Sequence, residues 1–288
     1  MILVAGCGET SGRPAPPPPA ATPVPVGPVA ASPPVRAASE CSATPNALER
    51  GLTHERWLLD EKPVAGGAPC VDVIRAEPAR YRLRAFLSGD DPPHTATEWR
   101  DIFHLATVIN AGMFHADNRP VGIIVADGTE HGRDNAKMSG FLAWDPRSAA
   151  DAPFVVAGRD CPGFDLDALK AKYRSIVQSY RLLGCKGEAL AWKDPKHYSA
   201  AAIGLARDGR VVMLHARAAL TMAELSRGVA GHDLAGALFL EGGPEASLVA
   251  HGTGGDLAVM GSYETAFLET DDNRAFWKLP NILGLEPR

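Results

Sequence analysis

Leu238-Phe239-Leu240 is an apolar run that delivers Glu241 to the double-glycine turn Gly242-Gly243, and a second apolar run follows Pro244-Glu245. A buried strand ending there places the Glu241 carboxylate where the backbone emerges. Gly242 and Gly243 carry no side chains and tolerate φ > 0, so a ligand can approach the main chain closely. Backbone N–H groups in such a turn form a small anion-binding concavity. A carboxylate beside that concavity is a candidate acid, base or nucleophile, and Glu245 stands four residues on as a candidate partner. The same residues also suit a tight solvated turn. Asn110 ends another apolar run, before Ala111-Gly112, and its amide can both donate to and accept from a sugar hydroxyl or phosphoryl oxygen. It can equally cap its own turn. Gln178 and Ser179 close the apolar pair Ile176-Val177 and need partners if buried. Arg181 alternates with Ser179 and so shares its face. It can hold a phosphate by two parallel hydrogen bonds or sit in a surface ion pair.

The elements that must position these residues are mostly strands. Val71–Arg75 and Tyr81–Phe86 alternate and are expected to form a hairpin through Pro78. Thr97 is expected to cap a helix reaching Leu105, with Trp99, Ile102 and Phe103 inward. Thr107–Asn110, Val121–Val125 and Phe154–Val156 read as strands, and Asp165–Tyr173 as a helix. Ser175–Leu183 follows as a strand. Ala200–Ala206 and Arg210–His215 pair through Asp208-Gly209. Thr221 and Glu224 make a capping box for a helix to Val229. Ala237–Glu241 and Ala246–Ala250 complete the core. Strands outnumber helices and several connections are too short for crossover helices. The expected fold is α+β: one domain with a mixed, largely antiparallel twisted sheet and packed helices.

Residues 1–45 differ in character. Ten of the 24 prolines lie between Pro14 and Pro34, among alanines and valines, which predicts an extended, disordered tether. Residues 46–288 form the expected folded domain. Leu3-Val4-Ala5-Gly6-Cys7 resembles a bacterial lipoprotein box, with Cys7 lipidated and membrane contact only through that lipid. Against this, only six residues precede Cys7 and none is basic, so a cytosolic chain with a disordered tail is the alternative. No apolar run approaches the ~20 residues that span a bilayer. Export fits the remaining cysteines, Cys41, Cys70, Cys161 and Cys185, an even set suited to two disulfides. Three connectivities are open; chain proximity favours Cys41–Cys70 and Cys161–Cys185, and buried free thiols are the alternative. No Cys-x-x-Cys or His/Cys cluster is present, so a structural zinc site is not expected, and the reading carries no metal or cofactor. The net charge of −5 and the lack of a Lys/Arg stripe argue against a nucleic-acid partner.

Four ordered motifs resemble the phosphodiester glycosidase family over roughly residues 70 to 250. They are Asn110-Ala111-Gly112-Met113-Phe114, Pro120-Val121-Gly122 with Asp127-Gly128, Val177-Gln178-Ser179, and Ala201-Ala202-Ile203-Gly204 ahead of the Glu241 turn. The resemblance implies an exported hydrolase cleaving a sugar-1-phosphate diester in envelope or exopolysaccharide material. It implies Glu241, Asn110 and Gln178 in catalysis, with Ser179, Arg181, Gly112, Gly242, Gly243 and Glu245 binding a carbohydrate or phosphoglycan. The chain departs from the family at Glu241-Gly242-Gly243-Pro244-Glu245, where Asp-Gly-Gly-Gly-Ser is usual, and Pro244 removes an N–H from the turn. Ala200 stands where an Arg is common, and Tyr180-Arg181 replaces Gly-Pro, so Arg181 is the candidate to supply the missing cation. A tethered glycan-binding or phosphoglycan-binding lipoprotein without catalysis is the competing expectation.

Overall fold

The computed structural model describes Cys41 and residues 46–288. The lipobox-like Cys7 and, apart from Cys41, the expected tether lie outside the described residues. In chain order the first strands are β1 (Asn46–Glu49), β2 (Leu52–Leu58), β3 (Cys70–Ala76), β4 (Tyr81–Leu87), β5 (Thr107–Asn110) and β6 (Ile124–Ala126). Next come β7 (Thr129–His131), β8 (Gly140–Pro146), β9 (Phe154–Gly158), β10 (Tyr173–Arg181) and β11 (His197–Ala206). The last are β12 (Val211–Thr221), β13 (Leu234–Gly242), β14 (Ser247–Ala250), β15 (Leu257–Met260) and β16 (Asn281–Pro287). Three short helices join them: α1 (Ala96–Phe103), α2 (Leu166–Lys172) and α3 (Met222–Ala230).

These strands make two sheets, not one. The larger runs β1-β2-β3-β12-β11-β13-β10-β6-β7, with β8 pairing β10 and β9 pairing β8; the smaller runs β15-β14-β5-β16-β4. Every strand pair described is antiparallel. The expected α+β domain with a mixed, largely antiparallel sheet and packed helices holds in part: the pairing is antiparallel as expected, but the domain is mostly β, with two sheets and three short helices. The expected β3–β4 hairpin is also corrected: β3 pairs β2 and β12, while β4 pairs β16. Glu77–Tyr81 is a crossing between sheets, with Glu77 N–H bonded to Gly51 O at 2.9 Å.

Alternation along the strands builds the layers. In β11, Ala201 and Ile203 face the core between the sheets, while Ala200 and Ala202 face a second core that also holds Met222, Leu225 and Val229 of α3. In β13, Leu238 and Leu240 face the first core and Ala237 and Phe239 the second. Val108, Val249 and Ile282 of the smaller sheet pack against Ala96 and Trp99 of α1. The order is therefore α3, large sheet, small sheet, α1. The Thr221–Glu224 capping box of α3 forms as expected. The corresponding box on α1 starts two residues earlier than expected, at Thr95. Ile102 and Phe103 stay 50% and 41% exposed, so of the three expected inward residues only Trp99 is buried, with the Phe103 ring packed against Phe86 at 4.5 Å. Cys41–Cys70 and Cys161–Cys185 are both disulfides, with Cα atoms 5.6 Å apart in each. No helix among the described residues is long and apolar enough to cross a membrane.

Candidate active site

Glu241 is placed by the pairing of β13 with β11. The register runs Ala201 opposite Glu241 but Ala202 opposite Phe239, a bulge that leaves Leu240 unpaired in the ladder. The Ser179 hydroxyl donates to Phe239 O and pins β13 two residues before the carboxylate. The Gly242 N–H donates to Glu241 Oε1 at 3.1 Å. At Gly242 an added Cβ would come within 3.0 Å of the Tyr198 ring, and at Gly243 (φ 68°) within 2.6 Å of Glu264 Oε2. Gly243 is therefore favoured by its left-handed backbone, while a side chain at Gly242 would press on the Tyr198 ring. A single 3-10 turn, Gly243–Glu245, follows, with Pro244 as its second residue.

Glu241 and Gly242 line a cavity of about 320 Å³. Tyr180, Trp192, Tyr198 and Phe239 supply aromatic walls, and Asp194 and Glu264 further carboxylates. Tyr180 and Trp192 meet edge to face at 5.6 Å, and the Tyr198 hydroxyl donates to Asp194 Oδ2 at 2.9 Å. Glu264 arrives from a distant loop stitched along β11. Ser199 N–H bonds Tyr263 O at 2.9 Å, and Ser199 Oγ accepts from Ser262 N and Tyr263 N at 3.0 and 3.2 Å. Aromatic faces beside clustered hydrogen-bonding carboxylates suit a sugar ring, whose C–H faces are apolar and whose rim is hydroxyl.

Burial pushes the Glu241 carboxyl up to about 8; the Gly242 N–H opposes this, and the charges of Glu245 and Glu264 add to it. Burial also raises Glu245 to about 7, with Glu264 adding to the rise. Glu264 is raised by burial as well, with Lys196 opposing. Glu241 therefore holds its proton at neutral pH and can donate it.

The other expected site residues have protein partners. Asn110 is 1% exposed; its Oδ1 accepts from Ser247 N at 3.1 Å, joining β5 to the residue that opens β14, and its Nδ2 has no protein partner. Gly112 (φ 127°) lies against Leu240 O, 3.9 Å from where a Cβ would stand. Gln178 accepts from Ile123 N and Asn135 N at 3.1 and 3.0 Å, and donates to Asp134 Oδ1, Asn135 O and Met138 O at 2.8, 2.9 and 2.9 Å. Its amide is committed to holding the 134–138 loop. Arg181 does not reach the Glu241 cavity. It is 3% exposed, pairs with Asp160 and donates to Cys161 Sγ at 3.0 Å, lining a separate pocket at the disulfide. Its expected task as the substitute phosphate cation is therefore corrected: its charge is spent beside Asp160. Asp160, Cys161 and Cys185 bring potential ligand atoms within 4.8 Å, but both sulfurs are tied in the disulfide and cannot bind metal as thiolates. Burial lowers His215 to about 4; the neutral ring donates from Nε2 to Ala246 O at 3.1 Å, under the glycine turn. Trp192, Asp194 and Glu264 were invisible to motif reasoning because they sit in irregular, polar segments with no periodicity.

The chain belongs to the phosphodiester glycosidase family, whose profile matches residues 104–286. The family implies a carbohydrate-type substrate. No curated protein matches the chain by sequence. Among solved structures it is similar to the zebrafish N-acetylglucosamine-1-phosphodiester alpha-N-acetylglucosaminidase catalytic domain, auto-inhibited by its pro-peptide. That likeness has 12% identity and a TM-score of 0.61, covering 86% of this chain and 87% of that one. It is also similar to a hypothetical protein from Synechocystis, at 14% identity and a TM-score of 0.58, covering 83% of this chain and 62% of the other. At these identities the likeness is one of fold.

Proposed function

We propose that this protein is an exported hydrolase that cleaves a sugar-1-phosphate diester at the anomeric carbon, with Glu241 as the general acid. The observation that carries this reading is a carboxyl held near pKa 8 in an aromatic-walled cavity with further carboxylates beside it. The sugar ring stacks on the aromatic walls. The bond from C1 to the phosphate oxygen breaks, its electron pair stays on that oxygen, and Glu241 passes its proton there. Whichever of Glu264 and Glu245 is ionised faces the oxocarbenium charge left on the sugar; water then adds its oxygen at C1 and gives its proton to the Glu241 carboxylate, which restores the acid. Glu241 is thus assigned the acid's part rather than that of nucleophile or base. Two disulfides support an oxidising compartment, and lipidation at Cys7 would tether the domain to envelope or exopolysaccharide substrate.

The test is release of free sugar from an N-acetylglucosamine-1-phosphodiester by the full chain and its Glu241→Gln variant. The expected result is release by the parent and a loss of roughly 10²–10⁴-fold in kcat in the variant. A second reading, a glycan-binding module, is favoured by the absence, among the described residues, of any Arg, Lys or His from the walls of this cavity. Saturable sugar binding by a parent that releases no product would establish it.

A further inference from the structure

A second cleft, of about 400 Å³, is lined by His115, Arg119, Pro120, Val121, Gly132 and Arg133. It shares a wall with the Glu241 cavity. Met113 lines the acidic cavity, Val121 lines the basic cleft, and Val121 N–H bonds Met113 O at 2.9 Å. The two residues are the base of one tight hairpin, closed by the Phe114–Pro120 bridge and by His115 N–H to Arg119 O at 2.8 Å. Directly opposed residues of an antiparallel ribbon project to the same face, so the acidic cavity and the basic cleft meet at the Met113–Val121 pair.

The cleft is built rather than incidental. Gly132 (φ 75°) lies so close to the Gly122 carbonyl that any Cβ would collide with it, and this contact seats the 131–134 segment on the hairpin. Arg133 follows directly and has no ion-pair partner among the described residues. The saturated Gln178 amide fixes the next residues, Asp134, Asn135 and Met138, to β10. Arg119 binds Asp117 through Nε and Nη2 in an exposed pair, which leaves its Nη1 side to solvent. The Asn110–Phe114 motif, the Pro120–Gly122 motif and Gln178 therefore converge on this hairpin and its loop, though none of their polar side chains lines the Glu241 cavity.

We propose that the basic cleft takes the phosphodiester anion and the start of the aglycone, while the sugar occupies the acidic cavity that adjoins it at the Met113–Val121 pair. The proposal rests on the hydrolase reading above and supplies what that cavity lacks. A phosphodiester carries a full negative charge and is repelled by whichever of Glu245 and Glu264 is ionised beside the protonated Glu241. Arg119 and Arg133 offer planar donors matched to phosphoryl oxygens. The scissile oxygen then lies at the boundary, where Glu241 can protonate it. Gln178 is a positioning residue for Arg133, not a catalytic one.

The test compares binding of N-acetylglucosamine 1-(methyl phosphate) and of its neutral methyl glycoside to the full chain by calorimetry at low and high salt. The parent, the Arg119→Ala/Arg133→Ala variant and an Arg133→Lys variant are measured, with folding checked by thermal melts. The expected result is a preference of the parent for the phosphodiester that weakens with salt. In the double alanine variant that preference falls about tenfold, while the Arg133→Lys variant, which keeps the charge, retains most of it. An unchanged preference in the double variant overturns the inference, as does a parent with no preference at all. Sugar release measured on the same samples separates the two claims: a parent that prefers the anion through these arginines but is indifferent to Glu241→Gln in turnover refutes the hydrolase reading alone.

Discussion

At Glu241 a carboxyl whose ordinary pKa is near 4.5 is lifted to about 8, and this has a consequence for stability as well as for chemistry. Between those values the native chain holds a proton that the unfolded chain has released. Folding stability therefore falls as pH rises from about 4.5 to about 8 and levels off above, with a slope of about 1.4 kcal/mol per pH unit from this group alone. Glu241→Gln removes that slope. Urea unfolding at a series of pH values should show the variant gaining on the parent toward alkaline pH; parallel curves would place the Glu241 carboxyl in water. The sequence made Glu241 legible, because an acidic residue between an apolar run and two glycines is a strand end by its pattern alone. It did not make the proton legible, since that depends on Glu245 and Glu264, and Glu264 comes from 23 residues further along the chain in a loop with no periodic signal. Arg181 misled for the same reason. Its alternation with Ser179 is real, but β10 changes partner there, from β8 at Ser179 to β13 at Tyr180 and Arg181, and carries the guanidinium to Asp160 instead.

Among the elements, α3 shows what local sequence determines well. Thr221 and Glu224 satisfy the first-turn N–H groups reciprocally, with Glu224 N bonded to Thr221 Oγ1 at 3.2 Å and Thr221 N to Glu224 Oε2 at 2.7 Å. Met222, the first helical residue, lines the Glu241 cavity. Thr221→Ala should cost about 1 kcal/mol in denaturant unfolding. A variant unfolding at the parent's midpoint would mean the helix is held by its buried face alone. Strand existence was equally readable, because alternation is local. Strand partnership was not: β3 and β4 have the pattern and spacing of a hairpin, yet they enter different sheets. The strand β16 has no clear signal in the sequence, since Gly284 and Pro287 interrupt its pattern, although it lies between β5 and β4 in the smaller sheet.

For the molecule as a whole, two disulfides, two sheets and flanking helices hold two neighbouring clefts of opposite charge. The Cys161–Cys185 bridge closes 24 residues of chain and ties the end of β9 to the segment after β10. Replacing both cysteines by alanine should lower stability by about 3 kcal/mol in thermal or urea unfolding, chiefly by freeing the unfolded chain. No loss would mean the bridge merely accompanies the Arg181–Asp160 contact. The account stands on Glu241 acting with its proton in place, so the pH dependence of kcat on a sugar-1-phosphodiester tests it most directly. The predicted profile falls about tenfold per pH unit above about 8, and the remaining activity of Glu241→Gln lacks that limb. A rate that instead rises through pH 8 would make Glu241 a base or nucleophile and contradict the assignment.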